Sequence, residues 1–124
     1  MRAGATGSRN GFASDAQREG VFKILSRADC LHHGDCVGVD EECARAFRGE
    51  TIAHPPDNDS LRSSFFSDII MPAKPYLDRN RDIVDSIRYL TAAPDGFQEK
   101  RRSGTWATIR YAKKVGVPVF IVYP

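Results

Sequence analysis

The chain has 124 residues, 41% hydrophobic and 27% charged. That is the usage of a globular chain with one core, and it excludes a disordered or low-complexity polypeptide. Lys and Arg number 18 against 16 Asp and Glu, a formal charge of +2, which argues against a nucleic-acid partner bound through its phosphate backbone. No apolar run approaches the roughly 20 residues of a bilayer crossing, and no leader-type segment opens the sequence. Cys30, Cys36 and Cys43 form no paired framework, so the expectation is a cytoplasmic protein with reduced thiols and no membrane contact.

Taken in chain order, strand-like runs alternate with helix-like ones. Arg2 to Thr6 reads as a first strand, and Gly7-Ser8-Arg9-Asn10-Gly11 as the loop after it. Ser14 with Gln17 has capping-box spacing, so a helix is expected from there to about Ala28, with Val21, Ile24, Leu25 and Ala28 as its apolar stripe. Cys30 to His33 is a second strand. A loop through Gly38 leads to a helix from Val39 to Phe47, closed by Gly49. Thr51 to His54 is a third strand, stopped by Pro55 and Pro56. The irregular stretch from there to Lys74, about twenty residues, is long enough to suggest a lid or binding loop. Pro75 to Ser86 reads as a helix with Leu77, Asn80, Ile83, Val84 and Ile87 near one face, then Arg88 to Ala93 as a strand. Ser103 to Val115 is the last helix and Val117 to Tyr123 a fifth strand. The pattern predicts one α/β domain over residues 1–124, Rossmann-like, with a mostly parallel five-stranded sheet and helices on both faces.

Ligands of such sheets bind beyond the carboxyl ends of the strands. Gly7, Ser8 and Arg9, His33, Gly34 and Asp35, His54, and Pro94 all follow strands directly. They are expected to converge on one rim, where Asp35 suits a ribose hydroxyl or a base. The most informative segment is Arg101-Arg102-Ser103-Gly104-Thr105-Trp106. A helix start leaves backbone N–H groups unpaired and carries partial positive charge. The second helix answers with Asp40, Glu41 and Glu42, whereas the last has no carboxylate in its first turn and offers a glycine and two hydroxyls behind two arginines. That is the pattern of a phosphate site, with a Ser N-cap in a solvated basic loop as the bland alternative. His32-His33-Gly34-Asp35-Cys36 carries zinc-ligand residue types, but adjacent histidines of a strand point to opposite faces and no chelating spacing is present, so no metal is expected. Arg79 and Asn80 sit early in their helix; Arg79 reads equally as a solvated charge or as a phosphate partner reaching the rim.

In order, Gly7-Ser8-Arg9, His33-Gly34-Asp35-Cys36-x-Gly38-x-Asp40, Tyr76-Leu77-x-Arg79-Asn80, Pro94 and Arg102-Ser103-Gly104-Thr105-Trp106 resemble the SLOG superfamily. That superfamily joins the Smf/DNA-processing protein A group and the Lonely Guy (LOG) proteins with small bacterial and phage sensor domains. The resemblance spans nearly the whole chain and implies a nucleotide-type ligand and a homo-oligomer. LOG enzymes cleave the N-glycosidic bond of nucleoside monophosphates. Gly104, Thr105 and Arg79 match residues of their signature, while Asn80 stands at the position of its lysine and Thr108 at that of its catalytic glutamate. The resemblance therefore implies binding of a phosphate-bearing nucleotide or nucleotide-derived signal, of ADP-ribose or cyclic type, by a sensor or a sequestering sponge in phage–host conflict. A LOG-like hydrolase using Asp35 or Asp95 as its acid or base, and a single-stranded DNA binder, are the alternatives. No cofactor is expected.

Overall fold

The computed structural model describes residues 1–124. Six strands and four helices alternate: β1 Arg2–Gly7, α1 Asp15–Leu25, β2 Cys30–His33, α2 Val39–Ala46, β3 Glu50–Ala53, β4 Ile69–Ile70, α3 Tyr76–Asp85, β5 Tyr89–Ala93, α4 Gly104–Val115 and β6 Val119–Ile121. The strands form one sheet in the order β4-β3-β2-β1-β5-β6, and every pairing is parallel. This is a Rossmann-like α/β arrangement with one strand more than the alternation predicts. The addition is β4, two residues inside the irregular 55–74 stretch, which pairs Ile69 with Ile52 and Ile70 with Ala53. Two residues carry no periodicity, so the pattern has nothing to register there.

The central strands alternate small residues between two packed faces. Ala3 and Ala5 of β1 join Leu31, Tyr89 and Ala93 beneath Val21 and Leu25 of α1 and Val39 and Cys43 of α2. On the opposite face Leu90 meets Ile83 and Val84 of α3 and Ala112 of α4, while Ala92 meets Trp106 and Ile109. Helices thus cover both sides, as fully buried parallel strands require. Gly4 of β1 is small because Ile87 and Leu90 close over it.

Several boundaries move. The first helix stops at Leu25, and the last strand is trimmed to Val119–Ile121 because Val117 donates to the Ala112 carbonyl in the C-cap of α4. The expected face of α3 is buried at Asn80, Ile83, Val84 and Ile87 and departs from expectation at its first turn. Leu77 is 59% exposed, while Arg79, which the apolar stripe does not include, is buried. An arginine among apolar residues carries no hydropathy signal for burial, so only its partners explain it.

The 55–74 segment is pinned down at several points. Thr51 and Asp68 hold each other through backbone and side chain, Glu41 accepts from Ser63 and Ser64, and the Ser63 amide donates to the Asp35 carbonyl at 2.8 Å. No helix is long and apolar enough to cross a membrane.

Candidate anion-binding site

Sheet order reverses at β1. The chain runs outward from β1 through β2 and β3, then returns to β5 on its other side. The connections that leave the carboxyl ends of β1 and β5 therefore run to opposite faces of the sheet, and a cleft of about 310 Å³ lies beyond those ends, between the loop after β1, the first turns of α3 and the start of α4. Its lining includes Arg9, Arg79, Lys100 and Arg102 against only Asp40 and Asp95. Lys100 and Asp95 neutralise each other at 3.0 Å, whereas no salt bridge occupies Arg9 or Arg102. The cleft is net positive. A more apolar hollow of about 430 Å³ lies at the other end of the strands, walled by Phe22, Leu25 and Phe47; it holds no such cluster of cations.

Two of the helix starts at the cleft, those of α2 and α4, differ. At α2, the Val39 amide donates to the Ser8 carbonyl at 3.0 Å, and three acids fill the first turn. Gly38, at φ 90°, allows this approach: a side chain there would run into the Ser8 and Arg9 backbone. At α4 the first turn has no acid. Ser103 Oγ accepts from the Trp106 amide at 3.3 Å, while the amides of Gly104 and Thr105 find no partner in the protein. The Thr108 hydroxyl donates back to the Gly104 carbonyl at 2.9 Å. Unpaired donors, a helix dipole and two free guanidinium groups can together hold an oxyanion.

Arg79 is the structural centre of the rim. It is 4% exposed. Nη1 donates to the Gly34 carbonyl and, at 3.1 Å, to the His54 carbonyl; Nε donates to Asn80 Oδ1 at 2.8 Å; and the guanidinium lies over the Tyr76 ring, 5.0 Å from its centroid. Gly34 is small because Arg79 Nη1 and Asp40 Oδ2 would stand 2.7 and 2.8 Å from any Cβ there. Asp40 Oδ2 accepts the Gly34 amide at 3.1 Å. Burial raises its carboxyl to about 6, against the pull of Arg79 and of the Cys36 and Gly34 amides.

Of the residues expected at the site, Gly7, Ser8, Arg9, Gly34, Arg79, Asn80, Arg102, Ser103, Gly104 and Thr105 line this cleft. Five others lie outside it. His33 is fully buried: its Nδ1 accepts the Asp35 amide at 3.0 Å, so Nε2 carries the hydrogen and donates to Ser67 Oγ at 2.7 Å. His54 pairs with His32 at 2.8 Å. The Asp35 side chain turns to Arg62 Nε, 2.7 Å away. Pro94 gives its carbonyl to Gln17 Nε2 at 2.8 Å, and Trp106 packs into the core with Ala92 and Ile109. Position at or after a strand end brought His33, Asp35, His54 and Pro94 near the rim, and Trp106 came with its helix start, but partners inside the fold take these groups away from the cleft. Asp40, Tyr76, Asn10, Cys36 and Lys100 line the cleft without having been expected there. Asp40 was legible as one of three helix-start acids and as the end of the Gly38-x-Asp40 motif, but residue type alone does not show that it turns into the cleft.

The fold has relatives among solved structures. The molybdenum cofactor binding protein of the phototrophic bacterium Rippkaea orientalis is similar with a TM-score of 0.74 and 22% identity, over 99% of this chain and 76% of that one. The structural-genomics protein TM1055 is similar at 0.68 and 15%, over 96% and 72%. DNA processing protein A of Helicobacter pylori, whose structure addresses a single-stranded DNA binding mode, is similar at 0.67 and 19%, over 98% and 64%. At these identities the likeness shows the fold alone. No protein-family model and no curated protein matches the chain.

Proposed function

We propose that the protein is a SLOG-type domain that binds a phosphate-bearing nucleotide or nucleotide derivative in the cleft, with the phosphate on the start of α4. The observation that carries this reading is the contrast between two helix starts at one switch point. The α2 start is filled by the Ser8 carbonyl and its own acids, and the α4 start is left open beneath Arg9 and Arg102. The cleft is at the small end of ligand pockets, which span about 300–1,000 Å³, and suits a mononucleotide-sized ligand. Held without turnover, the ligand is a signal, and the protein a sensor or sequestering module that works as a homo-oligomer. The fold likeness to a cofactor-binding protein supports small-molecule binding. The likeness to a DNA-binding protein is offset here by the near-neutral charge.

Calorimetric titration with adenosine monophosphate, ADP-ribose and inorganic phosphate tests the reading. At least one is expected to bind, and Arg102→Ala to weaken it roughly tenfold, the effect of one charge-assisted contact. Absence of binding by all three would remove the cleft as a phosphate site. A hydrolase is the second reading, favoured by Asp40: a buried carboxyl in the cleft raised to about 6 is suited to acid–base work. Chromatography after long incubation separates the two, since multiple turnovers to free base establish an enzyme and intact ligand a binder.

A further inference from the structure

Opposite α4, the first turns of α3 face the same cleft. Tyr76 and Asn80 are four residues apart and so share a helix face; across from them Gly104 and Thr108 have the same spacing on α4, and all four line the cleft. Asn80 is 7% exposed. Its Oδ1 accepts from Arg79 Nε. Because a guanidinium can only donate, this contact fixes the orientation of the amide, and Nδ2 is the end left over. That nitrogen is buried with no hydrogen-bond partner. Thr108, on the facing helix, uses its hydroxyl hydrogen on the Gly104 carbonyl. Buried donors are almost always paired, and an orphan calls for a reason.

Tyr76 supplies a second unspent group. Its hydroxyl lies directly against Gly104, in the space a side chain would need, and makes no hydrogen bond of its own. The Arg79 guanidinium over its ring holds it there. Gly104 is therefore small to admit the Tyr76 phenol, and that phenol sits beside the unpaired amides at the start of α4.

We propose that α3 forms the second wall of the anion site, with the Asn80 side-chain amide and the Tyr76 hydroxyl as ligand donors that determine specificity. The proposal rests on the reading of the cleft as a phosphate site and narrows its ligand. That ligand presents oxygens on two sides: phosphate oxygens toward α4, and a further phosphate or pentose oxygen toward α3. Arg79 is then a positioning residue, which aims the Asn80 donor and props the Tyr76 ring without itself being spent on the ligand.

The test is calorimetry on the full chain with inorganic phosphate, ribose 5-phosphate and adenosine monophosphate as probes, alongside melting temperatures without ligand. Asn80→Asp keeps the shape and keeps an oxygen toward Arg79, but replaces the free donor with a charged acceptor. It is expected to weaken ribose 5-phosphate and adenosine monophosphate at least roughly tenfold, with the ligand-free melting temperature unchanged or raised; a purely structural Asn80 would leave affinity alone. Tyr76→Phe, which removes one hydroxyl and no packing, is expected to weaken the same probes several-fold; if Asn80→Asp does not fold, this variant decides. Wild-type affinity in both variants, with Ser103→Ala still weakened, overturns the proposal and leaves the phosphate site standing. Failure of the wild type to bind any of the three probes overturns both.

Discussion

Arg79 shows how little a side chain's type says of its surroundings. In sequence it is a helix arginine near a rim, equally a solvated charge or a phosphate partner. In the structure it is buried, and its bonds to the Gly34 and His54 carbonyls tie the loops after β2 and β3 to α3. Removing it strands two buried carbonyls and an Asn80 oxygen, at about 1–3 kcal/mol for each unsatisfied group. Arg79→Ala is therefore expected to lower the ligand-free melting temperature by on the order of 10 °C, measurable by calorimetry, and Arg79→Lys to recover little, because an ammonium lacks the fork that reaches several acceptors. An unchanged melting temperature would mean that these bonds are dispensable. Gly104 is the converse case. Its identity was legible as permission for close approach, and the group that approaches in the structure is the Tyr76 phenol.

At the scale of elements, the helix starts were the most legible part of the site. The absence of acids before Trp106, and their presence after Gly38, are facts of composition that survive folding unchanged. The loop after β1 was legible only as glycine-rich. Its actual work is to place the Ser8 carbonyl on the start of α2, with Asn10 turned back onto Ser8 Oγ at 3.1 Å. That geometry depends on Gly38, whose left-handed backbone and missing side chain are both required. Gly38→Ala is expected to cost roughly 2–4 kcal/mol through strain and collision with the loop, and to weaken phosphate binding because Arg9 moves with that loop. Denaturant unfolding and titration of the same variant check both effects. The 55–74 segment was illegible for a different reason. Its order comes from polar side chains such as Asp68 and Glu41 that bond to distant backbone, a pattern with no period.

At the scale of the whole molecule, parallel α/β architecture with both faces covered followed from the alternation of strand and helix runs, because turn residues bounded the strands and apolar stripes or helix-start and helix-end residues marked the helices. Most of the residues expected at the rim do line the cleft; which of them would turn away, as His33, Asp35 and His54 do, did not follow, since that depends on partners far along the chain. The buried histidines give this fold an acid limit. Burial depresses His33 to about 3 and His54 to about 4, and lowers His32 as well. A depressed histidine contributes stability that is complete above the unfolded value of about 6.5 and is lost as pH falls toward the folded value. Asp40 works in the opposite sense. Raised to about 6, it takes up its proton earlier in the folded protein, so its contribution grows as pH falls from 6 toward 3.8 and offsets part of the loss. The histidines outweigh it. Between pH 7 and pH 5 stability is expected to fall by roughly 2 kcal/mol, or about 5–10 °C in melting temperature. A flat or rising melting temperature over that interval would show that the histidines are protonated in the fold.

The Gln17 side chain sets the order in which this molecule can be finished. Its amide nitrogen donates to the carbonyls of Pro94 and Val122, each 2.8 Å away, while its oxygen holds the Ala13 amide. A residue of the first helix thus waits for Val122, just past the last strand and 105 positions later. β1 waits too, for its second neighbour β5 is made only at Tyr89–Ala93. On a ribosome, the N-terminal half emerges with the innermost edge of its sheet bare and its first helix lacking half its floor. Contacts of such long range slow folding, and bare strand edges invite pairing with other chains. The two gaps close in turn: β5 covers the bare edge of β1 first, and the Gln17 side chain gains its second carbonyl only with Val122, so the sheet's most association-prone edge is protected before the first helix is fully tied down.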